Sequence, residues 1–461
     1  MAVKEVMIAA VLLGLSTATA AAQATQEAAP QHPLGQLPIE HAQLPNGLRV
    51  VMSPDRTVPT VAVAVYYDVG SRNEVQGRSG FAHLFEHMMF EGSANVGKGE
   101  HIQLITNRGG SLNGTTNHDR TNYFETLPSN DLALGLWLEA DRMRSLAVTE
   151  ENFENQRATV MEERRQSYEN QAYMPSMLRI NELAFGDYWP YAHSTIGDMN
   201  DLRNAPLSAV RHFFDQYYCP NNAVLALAGD FAPAEAMELV RRYFGTIPRH
   251  EVPAYTPPQL QPQTAERTDT LMDANAELPA FHLGYHIPAN REPDHYALEL
   301  LAIVLGDGES SRLYQKLVKE RELCQEVEVS TDDRRGPDLF SVWAIMASGH
   351  TGAEARAVIF AELADVARRG VTDRELQKAK NRVRSYFVFG IQSSLSRAMR
   401  LAEFEMYYGD ATLLRTEVER YLAVTGEDMR RVARQYFDAS NRTVLDVLPT
   451  GQAATAADGG E

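Results

Sequence analysis

His83-Leu84-Phe85-Glu86-His87 is the stretch on which the reading of this chain turns. On a helix of about 3.6 residues per turn, His83 and His87 project side by side, one turn apart. Two imidazoles so placed can reach one tetrahedral metal ion. Glu86 stands beside them, placed to take a proton from water at that metal instead of binding it. The pentapeptide is the inverted form of the His-Glu-x-x-His zinc signature. Its competitor is a plain helix with two solvated histidines, because motifs this short also arise by chance. The rest of the chain has to decide between them.

The chain has 461 residues, 44% of them hydrophobic, enough for more than one core. Its net charge of −18 argues against a nucleic-acid-binding protein, which would carry a basic face. Cys219 and Cys324 are too few for a disulfide framework and sit in no metal-binding spacing, so two free thiols are expected. Lys4 precedes an apolar run from Val6 to Leu15 and then Ala18-Thr19-Ala20-Ala21-Ala22. That layout reads as a secretory signal over 1–22, cleaved before Gln23. The run is too short to anchor in a bilayer, and no later segment is apolar enough to span one. The expectation is an exported protein, periplasmic or secreted, with a disordered segment over 23–37. The Ala/Gly-rich tail, 450–461, also reads as disordered.

The body of the chain reads as a worn duplication. Gln216-Tyr217-Tyr218 leads through Pro220-Asn221-Asn222 into the strand Ala223 to Leu227; Gln435-Tyr436-Phe437 leads through Ser440-Asn441-Arg442 into Thr443 to Val447. The offset is about 219 residues, a length that implies duplicated domains and not a solenoid. Val148-Thr149-Glu150 and Val371-Thr372-Asp373 form a second echo, each an N-cap opening a long helix. Pro-rich residues around Pro253, Pro257, Pro258 and Pro262 read as a linker over 248–268. Pro45-Asn46-Gly47 predicts a turn before a strand from Leu48 to Met52, and Thr60 to Tyr67 predicts a β-branched strand. A strand-like stretch follows the metal-motif helix from about Ser111 to Leu127, then helices from about Asn130 and Thr149. The fold class is α+β: two homologous domains, each a mixed, mostly antiparallel sheet with helices packed on one face. At matching offset, the second half runs Tyr296 to Ile303, which offers no zinc-binding pair.

A catalytic zinc site needs a third protein ligand. The helix opened by Thr149 carries Glu162 and Glu163, and spacing alone does not choose between them. Here the chain resembles the insulinase-type zinc peptidases, the pitrilysin group, and within it the shorter subfamily that includes mitochondrial processing peptidase and bacterial relatives. That family carries His-x-x-Glu-His and, roughly 76 residues on, a ligand Glu; from His87 this lands on Glu163. The resemblance therefore implies one zinc ion held by His83, His87 and Glu163, with Glu86 as general base. By the helix echo, the second-half position matching Glu163 is Tyr386. Gly109 to Thr115, with Asp119, Thr121, Asn122 and Tyr123, resembles the family's edge strand beside the metal. An extended peptide adds to that edge in relatives, which implies Asn113 and Gly114 as substrate contacts. Gly306, Ser310, Ser311, Arg312 and Leu313 also match, so the resemblance covers roughly residues 38–448. It implies a catalytic domain over 38–247 and a homologous, metal-free domain over 269–449.

Two departures stand out. Self-sufficient relatives, or the non-catalytic partners in paired ones, carry an Arg and a Tyr seven residues apart in the second half. Those positions here hold Val318 and Gln325. The oxyanion formed at a scissile carbonyl would lack a donor from this chain, which implies a homologous partner subunit that supplies the Arg and Tyr. Gln156, seven residues before Glu163, replaces a carboxylate found near the metal in many relatives, and an amide there still accepts a hydrogen bond from a ligand histidine. The expectation is a zinc-dependent endopeptidase that cleaves peptides or unfolded segments in a closed chamber, as the catalytic half of a heterodimer. The alternatives are a non-catalytic assembly subunit and a self-sufficient homodimeric peptidase.

Overall fold

Thr60–Tyr67 shows why the chain folds as it does: every residue after Thr60 is buried, on both faces of the strand. Val61, Val63, Val65 and Tyr67 belong to one apolar core, and Ala62, Ala64 and Tyr66 to another. Because side chains alternate along a strand, this one is covered from both sides. The computed structural model describes residues 37–450, so the signal peptide, nearly all of the segment 23–37 and the tail beyond Thr450 lie outside the described residues.

The first sheet contains β1 (Glu40–Gln43), β2 (Arg49–Pro54), β3 (Thr60–Tyr67), β4 (Ser111–Thr116), β5 (Thr121–Pro128) and β6 (Ala223–Gly229). Their order is β1-β2-β6-β3-β5-β4, with β2 and β6 parallel and the other pairs antiparallel. The second sheet contains β7 (Arg267–Asp273), β8 (Ala280–Ile287), β9 (Cys324–Thr331), β10 (Asp338–Met346) and β11 (Arg442–Pro449). Its order is β7-β11-β8-β10-β9, with only β7 and β11 parallel. Each sheet thus has one parallel pair formed by the strand that closes its half. The stretch between Pro248 and Glu266 contains no helix or strand.

The duplication extends to single hydrogen bonds. Asn222 Nδ2 donates to the Tyr217 carbonyl at 2.9 Å, and Asn441 Nδ2 donates to the Tyr436 carbonyl at 2.9 Å. Thr149 and Thr372 each cap their helix by accepting a backbone N–H, from Asn152 and Glu375.

The arrangement of helices adds something the periodicity did not predict. Helix Ser394–Tyr408, from the second half, packs on β2, β3 and β6 and covers the far face of the first sheet. Arg49 Nη1 donates to the Glu405 carbonyl and Arg397 pairs with Asp55 at 2.9 Å, fastening it there. Reciprocally, helix Met174–Phe185 from the first half packs on β7, β8 and β11. Each half lends one helix to the other's sheet. Both cysteines are buried and free, as expected. Among the described residues no helix is long and apolar enough to cross a membrane.

Candidate metal centre

Helix Phe81–Met88 presents an apolar face of Phe81, Ala82, Leu84, Phe85 and Met88 to the first core, which turns His83, Glu86 and His87 the other way. Gly80 sits at its N-cap with φ of 87° and no side chain to offer. Glu74 does the capping instead: its carboxylate accepts the N–H groups of Gly80 (2.9 Å) and Ala82 (2.8 Å). Glu74 is itself buried and receives His193 Nε2 at 3.1 Å. Gly80 also lies against Gly197, where a Cβ on either residue would approach the other's Cα within 2.8 Å. The start of the helix is therefore fixed from two directions.

Helix Glu150–Arg164 packs across it, anchored by Phe153 and Val160. Glu163 Oε2 lies 3.2 Å from His87 Nε2, and Glu163 Oε1 lies 3.8 Å from His83 Nε2. One ligand-capable atom from each of the three residues falls within 4.8 Å of the others. Glu162 points elsewhere: it is 53% exposed and receives Arg165 and Gln166, an ordinary solvated face. The choice between the two glutamates, open in the sequence, is made by helix rotation.

The donor set can be tested against zinc. Four ligands at about 2.1 Å define a tetrahedron with edges of about 3.4 Å, and the separations of 3.2 and 3.8 Å bracket that value. Burial, reinforced by the neighbouring His87, pushes the His83 imidazole down to about 4, so it is neutral at pH 7 with a lone pair to give. Burial also opposes charge on His87, but the hydrogen bond and charge of Glu163 prevail and raise it. The hydrogen bond from His87 holds Glu163 below the usual carboxylate range. His83 Nδ1 is buried without a hydrogen-bond partner. These residues fit zinc.

Glu86 is not part of this cluster. Thr116 on β4 donates its hydroxyl to Glu86 Oε2 at 2.7 Å, and burial raises the carboxyl above its ordinary range. Gly114, two residues earlier on the same face of β4, comes close enough that a Cβ there would lie 3.1 Å from Glu86 Cγ. Gly114 N–H donates to the Asn113 side-chain oxygen at 2.9 Å. β4 is the edge strand of its sheet, and Asn113 is exposed on it. A cavity of about 330 Å³ adjoins, lined by Glu86, His87, Phe90, Ile102, Leu112 and Asn113 among others.

Gln156 borders the same cavity and donates to Glu91 Oε1 at 2.6 Å, while Lys98 pairs with Glu91 Oε2 at 2.5 Å. A carboxylate other than Glu86 does border this cavity together with His87, but it comes from Glu91. Sequence reasoning passed over Glu91 and Thr116. The alternation of β4 placed Thr116 on the face of Gly114 and was the available signal; Glu91 lies beyond the helix and had none. Val318 packs against the second core, and Gln325 is exposed on β9, so neither offers a charged donor. Tyr386 stands half exposed with its hydroxyl 3.4 Å from Asp307. Helix Pro293–Gly306 begins before Tyr296 and brings His295 one turn from Glu299, and both meet Asp333 in a group with metal-ligand spacing.

Comparison with known proteins shows the family. Residues 49–184 match the family model for insulinase (peptidase family M16), and residues 205–383 match the model for the peptidase M16 inactive domain. The chain belongs to peptidase family M16. It is 31% identical over 451 residues to the zinc protease PqqE of Helicobacter pylori, covering 95% of this chain and 98% of that one. The crystal structure of a protease from Helicobacter pylori superposes with a TM-score of 0.85 at 30% identity, covering 90% of this chain and all of that one. The periplasmic protease PqqL from Escherichia coli shares the fold, with a TM-score of 0.73 at 17% identity, and there 90% of this chain covers 48% of the other.

Proposed function

We propose that the chain is a zinc metalloendopeptidase: His83, His87 and Glu163 hold the ion, and Glu86 is the general base. The observation that carries this reading is the convergence of those three side chains within 4.8 Å, beside a carboxylate held separately by Thr116. Zinc, when bound, supplies a Lewis acid that polarises the scissile carbonyl. The Thr116 hydroxyl occupies Glu86 Oε2, which leaves Oε1 to take the proton of the attacking water and deliver it to the leaving amine. Burial strengthens Glu86 as a base. An extended peptide pairs along the free edge of β4, takes over the Gly114 N–H, and frees Asn113 to bind the backbone. Backbone pairing grips any sequence, so preference falls to the adjoining cavity and its apolar lining of Phe90, Ile102 and Leu112.

Val318 and Gln325 leave this chain without a cross-chamber donor, so a homologous partner lacking the metal motif supplies an Arg and a Tyr and closes the chamber. The coverage of only 48% of PqqL supports this, because the same fold there belongs to a chain about twice as long. The N-terminal layout supports export to the periplasm. The mature chain should be purified, its zinc measured, and cleavage of a quenched fluorescent peptide library assayed with and without the partner. Stoichiometric zinc with activity only on adding the partner is the expected result. Full activity of the chain alone would replace the heterodimer with a homodimer, and absence of both zinc and activity would favour the assembly-subunit alternative. Glu86→Gln should keep zinc and abolish turnover, and a variant that retained most of its rate would remove Glu86 as the base.

A further inference from the structure

We propose that the second half holds a metal site of its own, in which His295, Glu299 and Asp333 bind a divalent transition ion that braces the two halves. It is independent of the centre at His83. Helix Pro293–Gly306 is the topological counterpart of Phe81–Met88: it packs on β9 and on helix Asp373–Gly390 as the first packs on β4 and on Glu150–Arg164. His295 and Glu299 lie four residues apart on it, the spacing of His83 and His87. Asp333 comes from the β9–β10 hairpin. One ligand-capable atom of each lies within 4.8 Å of the others.

The histidine itself points to a ligand. His295 is fully buried, and its Nε2 donates to Asp338 Oδ2 at 3.1 Å. Its Nδ1 is buried and has no partner. A carboxylate on one ring nitrogen fixes the tautomer and leaves the lone pair on the other, the arrangement that orients imidazoles toward metals. Leaving a buried polar atom unmet is costly, and a metal ion would meet it.

Charge leads to the same place. A cavity of about 130 Å³ adjoins, lined by Glu299, Asp333, Arg400, Glu403, Glu417 and Tyr421 among others. The arginines that line it form their salt bridges with other carboxylates: Arg400 pairs with Glu403 at 3.1 Å, and Arg291 with Glu417 at 3.0 Å. Among the described residues Glu299 and Asp333 are left without a salt-bridge partner, and Glu299 receives only the Tyr421 hydroxyl. At about 30 Å³ per water, the cavity holds an ion with a few water ligands. One imidazole with two carboxylates suits zinc or manganese. Asp333 has φ of 55°, a conformation Asp tolerates, and its hairpin reaches the solvent that supplies the ion.

The hairpin explains what the ion would do. Arg335, two residues on, donates from Nη1 to Asp68 (2.6 Å) and from its backbone N–H to Asp119 (3.0 Å). Gly336 N–H donates to the Tyr191 hydroxyl at 2.8 Å. All three acceptors belong to the first half, and Asp119 lies in the turn between β4 and β5. An ion at Asp333 therefore ties the second half's helix to the hairpin that grips the first.

The test uses the full mature chain with His83→Ala and His87→Ala to silence the first centre. The metal-stripped protein is titrated with zinc alone, by calorimetry and by thermal unfolding. One equivalent bound with a raised Tm is expected, against two equivalents for the unmodified chain. Adding Asp338→Asn should weaken that binding by about 10- to 100-fold. Adding Asp333→Asn, which keeps the left-handed backbone and the side-chain shape, should abolish both the uptake and the Tm shift. His295→Ala is less suitable because it opens a hole in the core. Failure of the silenced chain to bind zinc, while the unmodified chain binds one equivalent, overturns the second site and spares the first. Uptake unaffected by Asp333→Asn overturns it as well. If silencing His83 and His87 left zinc uptake unchanged, the reading of the first centre would fail instead.

Discussion

Gly114→Ala tests how the base is held, with a change of one methyl group. Gly114 lies in β4 with an ordinary strand backbone, so alanine introduces no conformational strain. Its Cβ would stand 3.1 Å from Glu86 Cγ and 3.1 and 3.2 Å from the ring of Tyr123. Carbon contacts are comfortable at about 3.5–4.0 Å, so something must retreat by roughly 0.4–0.9 Å. Tyr123 has nowhere to go: it is fully buried, edge-on to Tyr67 and Phe90, with Arg142 4.4 Å from its centroid. Glu86 must move, and the 2.7 Å hydrogen bond from Thr116 lengthens with it. A reacting group displaced by about 1 Å costs about 100-fold in rate, whereas overpacking costs the fold only about 1–3 kcal/mol. The assay is kcat and KM on a quenched peptide, with zinc measured on the same sample. The expected result is kcat down by about 100-fold with zinc content unchanged. Turnover within a factor of about two of the parent, at equal zinc, would refute the claim that this contact sets the base.

Other expectations follow from neighbouring contacts. Thr116→Val removes the hydroxyl that holds Glu86 and should lower kcat by about 10- to 100-fold, the worth of one hydrogen bond to a charged group; an unchanged kcat would leave Thr116 without a role. The hydrogen bond from Arg312 holds Glu375 down to about 2, from 4.5 for the free group. The unfolded chain thus takes up the extra proton as pH falls from 4.5 to about 2, and the stability this pair adds is present above that window and lost across it. Glu375→Gln should flatten the acid-side fall in urea-denaturation midpoint, and an unaltered slope would contradict the assignment. Leu401 is fully buried on the exchanged helix Ser394–Tyr408, facing the first sheet, and Leu401→Ala should cost about 2–5 kcal/mol while unfolding stays a single transition. Two separated transitions would show that the exchanged helices do not bind the halves into one unit.

Much of this was legible in the residues because it depends on short-range chemistry. The spacing of His83, Glu86 and His87 fixes one helical face, Thr149 and Thr372 cap their helices wherever those helices pack, and the repeated Asn222 and Asn441 make the same local bond in each half. Glu163 was reached only with the help of a family resemblance, and the rotation of its helix is what separates it from Glu162. Thr116 and Glu91 escaped notice because their partners lie on other elements, 30 and 65 residues away.

The local pattern, then, determined the two sheets, the duplication and the metal-binding pair, since periodicity, capping and i,i+4 spacing act between near neighbours. The exchange of helices between the halves was decided only in three dimensions. A strand buried on both faces, such as Thr60–Tyr67, reveals that something covers its second face but not which segment does so. The pairing of His295 and Glu299 with Asp333 was decided there as well, because it joins a helix to a hairpin more than thirty residues on, and no sequence spacing encodes that distance.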